Sequence, residues 1–248
     1  MMQRILSGVR VTWASATAFA TLGTAITTLL LIPLLNVAFT LLLGADLAAP
    51  NLVRTGYAAA LVALATSVAG GIVSVVATDR HLGIFFEIHS RRRLDVAYWL
   101  AISVVPALLA ATTGAMVIGS VAVFAGGALL GRVLMLALCA VVIGILLGVA
   151  AAGIGVGLPD PYLGATLLGS TLPLFTGVIV PIEACPKWLQ TLSHVTPMRG
   201  IITALDHCPT VSLIVHDIVV AAAWASVGLG LVRWAVARNR AGKQQHSL

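Results

Sequence analysis

Charge is scarce in this sequence. Asp, Glu, Lys and Arg make up 9% of its 248 residues, against about a quarter in an ordinary soluble domain. A chain this short of charge cannot wet its whole surface, so a water-soluble enzyme is excluded. Three cysteines with no CxxC pair exclude a zinc-type framework. The six histidines are scattered without ligand spacing, so no metal site is expected. No GxxxxGK[ST] loop is present: Gly242 and Lys243 are followed by Gln244, so the chain lacks that means of holding nucleotide phosphates. No GxSxG elbow is present either, which argues against a hydrolase. Asp95, Asp160, Asp206 and Asp217 all fall near the ends of apolar runs. Carriers driven by protons or sodium rely on an ionisable group buried within a span.

Apolar residues account for 60% of the chain, and the mean hydropathy is +1.07. A bilayer core is crossed by about 20 mostly apolar residues in a helix, which satisfies its own backbone hydrogen bonds where lipid cannot. Six runs fit: Ala18–Leu43, Gly56–Ala77, Ala97–Val121, Leu134–Val156, Leu163–Val180 and Leu213–Val236. The expected fold is an all-α membrane protein, with residues 1–248 forming a single transmembrane domain. No small-residue cleavage site follows the first run, so it reads as a retained span. Stretches such as GILLGVAAAGIGVG are dense in small residues, which let helices approach closely in lipid.

The net charge is +6, and its placement orients the chain. With the N-terminus cytoplasmic, the inner segments hold Arg4, Arg10, Arg80, Arg91, Arg92, Arg93, Arg233, Arg238, Arg240 and Lys243. The outer loops hold only Arg54, Arg132, Lys187 and Arg199. That is the positive-inside asymmetry, and six spans return the C-terminus to the cytoplasm. Basic residues confined to breaks between apolar runs do not form a nucleic-acid surface. The leader MMQRILSGVRVTWASA suits a short interfacial helix or a plain polar lead-in. The tail RNRAGKQQHSL is expected to lie loose.

Two segments stand out. Between spans two and three, TDRHLGIFFEIHSRRRLDVAYWLA alternates at helical spacing, with Leu82, Phe85 and Phe86 on one side and Asp79, Arg80, Glu87 and Arg91 on the other. It is either an interfacial loop or a helix that docks on a cytosolic partner. After span five, GSTLPLFTGVIVPIEACPKWLQTLSHVTPMRGIITAL is too polar to cross and too apolar for a plain loop. Trp188, Leu189, Leu192 and Val195 form an apolar face, and Pro181, Pro186 and Pro197 divide the segment. An amphipathic or re-entrant outer hairpin fits.

On these residues the sequence resembles the type-2 ABC transporter permeases, the membrane subunits of ATP-binding-cassette exporters. That family shows six spans, an acidic-Arg-x-x-Gly stretch after the second, and a Ser/Thr-Gly…Pro…Pro-x-Trp-Leu…Pro stretch after the fifth. Here the first reads Asp79, Arg80, Gly83, and the second Thr176, Gly177, Pro181, Pro186, Trp188, Leu189, Pro197. His81 stands where a second acidic residue is usual, and Ser90 and Arg91 stand near a missing Thr-Pro. The resemblance implies a coupling helix over Asp79–Arg93 (Asp79, Arg80, Gly83, Phe86, Glu87 and Arg91 its candidate contacts) seated in a separate cytosolic ATPase. ATP and magnesium would be held by that partner, and this chain would carry no cofactor. It further implies pairing with a second permease chain, identical or related, in the plasma membrane. Abundant Arg and Ala fit a high-GC bacterium.

Asn36 is the one Asn within a span and is a candidate for either interhelical bonding or contact with cargo. Cys185 and Cys208 flank the outer hairpin and are a candidate disulfide in an oxidising exterior. Cys139, inside span four, reads as packing. The leading expectation is a permease subunit exporting small amphipathic compounds such as drugs or antibiotics. A stand-alone secondary transporter and a membrane assembly factor without a pathway stay open beside it.

Overall fold

The computed structural model describes residues 2–14, 21–47, 49, 51–91, 95–125, 127, 129–206 and 211–245, with the backbone alone at 29, 183 and 242–245. Among the described residues all regular elements are helices. In chain order they are α1 (Met2–Ala14), α2 (Leu22–Ile26), a π-helical turn (Thr27–Leu31), α3 (Ile32–Asp46), α4 (Leu52–His81), α5 (Ile84–Arg91) and α6 (Val96–Phe124). There follow α7 (Leu130–Val156), α8 (Leu163–Phe175), a 3₁₀ turn (Ile182–Ala184), α9 (Lys187–Ser193), α10 (Arg199–Asp206) and α11 (Val211–Gln245).

Four of these helices are long and apolar enough to cross a membrane: Leu52–His81, Val96–Phe124, Leu130–Val156 and Val211–Ala241, of 30, 29, 27 and 31 residues. At 1.5 Å per residue each rises about 40–46 Å, more than the roughly 30 Å of hydrocarbon in a bilayer. These are the helices of a membrane protein. Their starts are written in short polar residues. Asn51 caps α4 by accepting from the Arg54 N–H, and Asp95 caps α6 by accepting from the Ala97 N–H, each satisfying a donor left free in the first turn.

The other two apolar runs differ from a plain span. The first is helical from Leu22 to Asp46 but changes register at the π turn. The fifth stops at Phe175 after 13 residues, about 20 Å of rise, which falls short of a bilayer. Pro173 weakens its last turn, and Gly177, at φ +75°, reverses the chain, a conformation open to glycine at little cost. The tail also departs from expectation. It continues α11 as helix through Gln245, and the Arg240 guanidinium donates to the His89 and Ser90 carbonyls at 2.8 and 2.6 Å. That anchorage orders a segment whose composition alone predicts none.

The core is a seam between α4 and α7, with α6 against α4 and α11 against α7. Leu61, Ala65, Val68 and Ile72 of α4 are buried against Leu136, Ala140 and Ile143 of α7. Lipid supplies no hydrophobic drive between such helices, so close contact has to do that work. A Cβ at Gly148 of α7 would lie 2.8 Å from Ile72 Cδ1 and 3.0 Å from Ala69 Cα, and Gly153 meets Gly228 of α11 backbone to backbone. The Ala- and Gly-rich stretch thus sits where helices touch most closely. Phe39, Leu42, Val123, Leu138 and Leu174 point away from the bundle.

The ends of the bundle follow from its long-range bonds. α4, α7 and α11 begin at one end, where α10 lies. They finish at the other, where α1, α5 and the start of α6 gather. α1 lies along α6, with the Arg4 guanidinium paired to the Asp95 carboxylate. The leader is therefore a docked helix rather than a loose lead-in.

Candidate functional site

At the α5 end, the helix between α4 and α6 is short and has a fixed root. Asp79, in the last turns of α4, accepts a 2.8 Å hydrogen bond from the Tyr98 hydroxyl of α6. Arg80 donates to the Gly155 and Leu158 carbonyls at the end of α7, at 2.8 and 2.6 Å. A cation there complements both the free carbonyls and the negative end of the helix dipole. Gly83, at φ +76°, turns the chain into α5. Of the six residues expected to meet a partner, Asp79 and Arg80 are therefore directed into the bundle, and Gly83 shapes the corner.

Phe85 is fully buried and anchors α5 from beneath. Its ring lies edge-on to Phe86 at 5.6 Å and stacks on His89 at 4.3 Å, with Tyr98 and Trp99 closing the box. His89 is itself buried, and its Nδ1 lies 2.9 Å from the Phe85 carbonyl. Burial pulls the His89 pKa below its ordinary 6.5, against smaller opposing effects of the Phe85 carbonyl and Asp95. The ring is thus neutral near pH 7 and packs as an aromatic. What α5 leaves outside is Ile84, Ser90 and the Glu87–Arg91 pair, joined at 2.9 Å one helical turn apart, with Leu82 exposed just before it. Arg92 and Arg93 lie outside the described residues.

At the opposite end, the proline-divided segment forms the 3₁₀ turn, α9 and α10. Pro181 and Pro186 each stand at the cap position of the short helix that follows, where a missing N–H costs nothing. Thr176 is buried and bonds back to the Leu172 carbonyl at 2.7 Å. Trp188, Leu192 and Val195 present their apolar sides outward, while Leu189 is half-buried. Pro197 sits with Val195 and Trp224 beside an apolar groove under α8, and the Trp224 indole donates to the Val195 carbonyl at 3.0 Å. Cys185 is half-buried with its Sγ 3.7 Å from the Pro181 carbonyl. Its expected partner Cys208 lies outside the described residues, as does His207.

The residues that hold this end together were not singled out in the sequence. Arg54 is buried; it pairs with Asp206 at 2.9 Å and donates to the Gly177 and Val178 carbonyls, both at 2.9 Å. One guanidinium so ties α4 to α10 and to the break after α8. Arg132 donates to the Leu205 carbonyl at 3.1 Å. Asp217, fully buried in the second turn of α11, accepts from the Ile201 N–H at 2.9 Å at the start of α10. A short helix is thus held at its positive end by a carboxylate and at its negative end by arginines. The available signal was polarity inside apolar surroundings at Arg54 and Asp217, but their partners are too distant in sequence to be read from spacing.

Asn36, with Thr28 one π-widened stretch before it, lines a cleft between α3, α4 and α6. Among the described residues no group of three or more His, Cys, Asp or Glu side chains is placed to hold a metal. No family model matches this chain, and neither a curated protein nor a solved structure matches it.

Proposed function

We propose that this chain is the membrane permease subunit of an ATP-driven exporter of the ABC type-2 class, paired with a second permease chain and with a separate cytosolic ATPase. On this reading both termini are cytoplasmic and six apolar passes form the domain, the short α8 making the fifth together with the segment that follows it. The plasma membrane of a bacterium is then its location, and small amphipathic compounds are its cargo. The observation that carries the reading is α5, a short helix whose root is bonded to α6 and α7 while its outer side stays open. A push on such a helix from the cytosol moves the bundle rather than a loose loop. The sequence resemblance supports the same assignment. Two outcomes test it. Purification in mild detergent should bring down an ATPase and a second permease, and a cysteine in place of Glu87 should crosslink to that ATPase. Labelling of the same cysteine only from outside the cell would overturn it.

A second reading, a stand-alone secondary transporter, draws on Asp217, an acidic residue fully buried within a candidate span. One of its carboxylate oxygens, Oδ2, caps α10, which favours the permease, while the buried Oδ1 makes no hydrogen bond to a described residue and keeps the second reading in play. Transport by the chain alone, driven by a proton gradient and lost in Asp217→Asn, would reverse that order.

A further inference from the structure

The cleft between α3, α4 and α6 has a volume of about 200 Å³, and it owes its form to a proline. Pro33 has no N–H to offer and crowds the preceding turn. Just ahead of it the Ile32 N–H reaches back to the Thr27 carbonyl, widening the turn to π geometry. The extra residue matters for facing. Thr28 and Asn36 are eight positions apart, which in a regular helix puts them roughly 80° out of line. One residue absorbed by the bulge leaves roughly two whole turns between them, and both line the cleft.

The polar groups in the cleft have a definite hydrogen-bonding character. The Thr28 hydroxyl donates to the Thr24 carbonyl at 2.7 Å, Thr66 to Val62 at 2.9 Å, and Thr113 to Ala110 at 3.0 Å. Each has spent its one proton on its own helix, so toward the cleft it can only accept. The Asn36 amide and the Ser67 hydroxyl bond to no other described residue and are exposed. None of the residues lining the cleft is charged. A cation or anion brought to this depth would meet no counter-charge for the hydration it gives up.

We infer that this cleft is a binding site for an uncharged molecule bearing several hydroxyl or amide N–H donors, and that, if the permease reading holds, this is the class of its cargo. The donors meet the three threonine oxygens, while Asn36 and Ser67 meet either kind of group. Lipid chains can satisfy none of these atoms.

The test uses the whole chain in lipid nanodiscs, without ATPase or nucleotide, and three radiolabelled probes. Chloramphenicol is neutral with hydroxyl and amide donors, its di-O-acetyl ester lacks the hydroxyl donors, and tetraphenylphosphonium is a donor-free cation. Saturable binding is expected for chloramphenicol, at least tenfold weaker for the ester and the cation. It should fall at least tenfold in an Asn36→Leu/Ser67→Ala variant that keeps the parent melting temperature. If that variant melts early, Thr66→Val alone should still weaken chloramphenicol more than its ester. Binding that survives these substitutions, equal binding of the ester, or no saturable binding of chloramphenicol at millimolar concentration overturns the inference. Because binding is read without an engine, failure to find an ATPase would leave this site standing, and loss of the site would leave the coupling helix standing.

Discussion

The two ends of α4 solve one problem in different ways. Each carries an arginine that reaches sideways to carbonyls of a neighbouring segment. Arg54 bonds Gly177 and Val178, and Arg80 bonds Gly155 and Leu158. Arg54 also has a carboxylate, Asp206, and is buried. Arg80 is half-buried and has no ion-pair partner among the described residues. The first is a neutralised lock between three elements. The second is a cation held by helix-end dipoles beside the helix proposed to move. Arg54 thus adds an ion pair to its carbonyl bonds, whereas Arg80 holds through carbonyl bonds alone among the described residues.

The sharpest way to break this contrast is Arg54→Ala, which strands Asp206 and two carbonyls. It should cost about 3 kcal/mol, chiefly for the two carbonyls left without a donor, since Asp206 is open to solvent, read as a fall in melting temperature in detergent. Lysine should not restore it, since it lacks the planar fork that reaches three acceptors at once. Arg80→Ala should cost less, about 2 kcal/mol for bonds from a charged donor, while on the permease reading it lowers transport-coupled ATPase activity more than Arg54→Lys does. Equal losses of stability at the two sites would erase the difference.

A smaller effect is expected from pH at the α5 end. Buried His89 resists protonation in the folded chain, whereas the unfolded chain takes up a proton near the ordinary 6.5. Folding is therefore most favoured above that value, and stability falls as pH drops from 6.5 toward the lowered folded pKa. His89→Phe should flatten that part of the profile, and an unchanged slope would place the effect elsewhere. The smallest change belongs to Glu87→Gln. Its exposed pair with Arg91 contributes only a few tenths of a kcal/mol, so stability should scarcely move. Crosslinking of α5 to an ATPase should weaken all the same, if that face is the one gripped.

How much was legible in advance differs by residue. Lipid demands apolar length, so the runs that became α4, α6, α7 and α11 stood out. Gly83 was visible because a motif demanded it, and its φ of +76° gives the physical reason. Asp79 and Arg80 were visible as charges but not as inward-facing ones. Their partners Tyr98, Gly155 and Leu158 are set by how α4 leans on α6 and α7. The shortness of α8 was hidden because Leu163–Val180 is apolar enough on average to read as one span, and hydropathy does not register where the backbone turns.

The sequence by itself settled that this chain meets lipid, that its helices touch through small residues, and that its basic residues fall in the breaks between apolar runs. Those are properties of composition and periodicity, which act locally. Only the tertiary structure decided that Arg54 meets Asp206, that Asp217 caps α10, and that Thr28, Asn36 and Ser67 share one cleft. Each of these joins residues from different helices, and a bond across helices depends on packing angle and register that no single stretch of sequence carries.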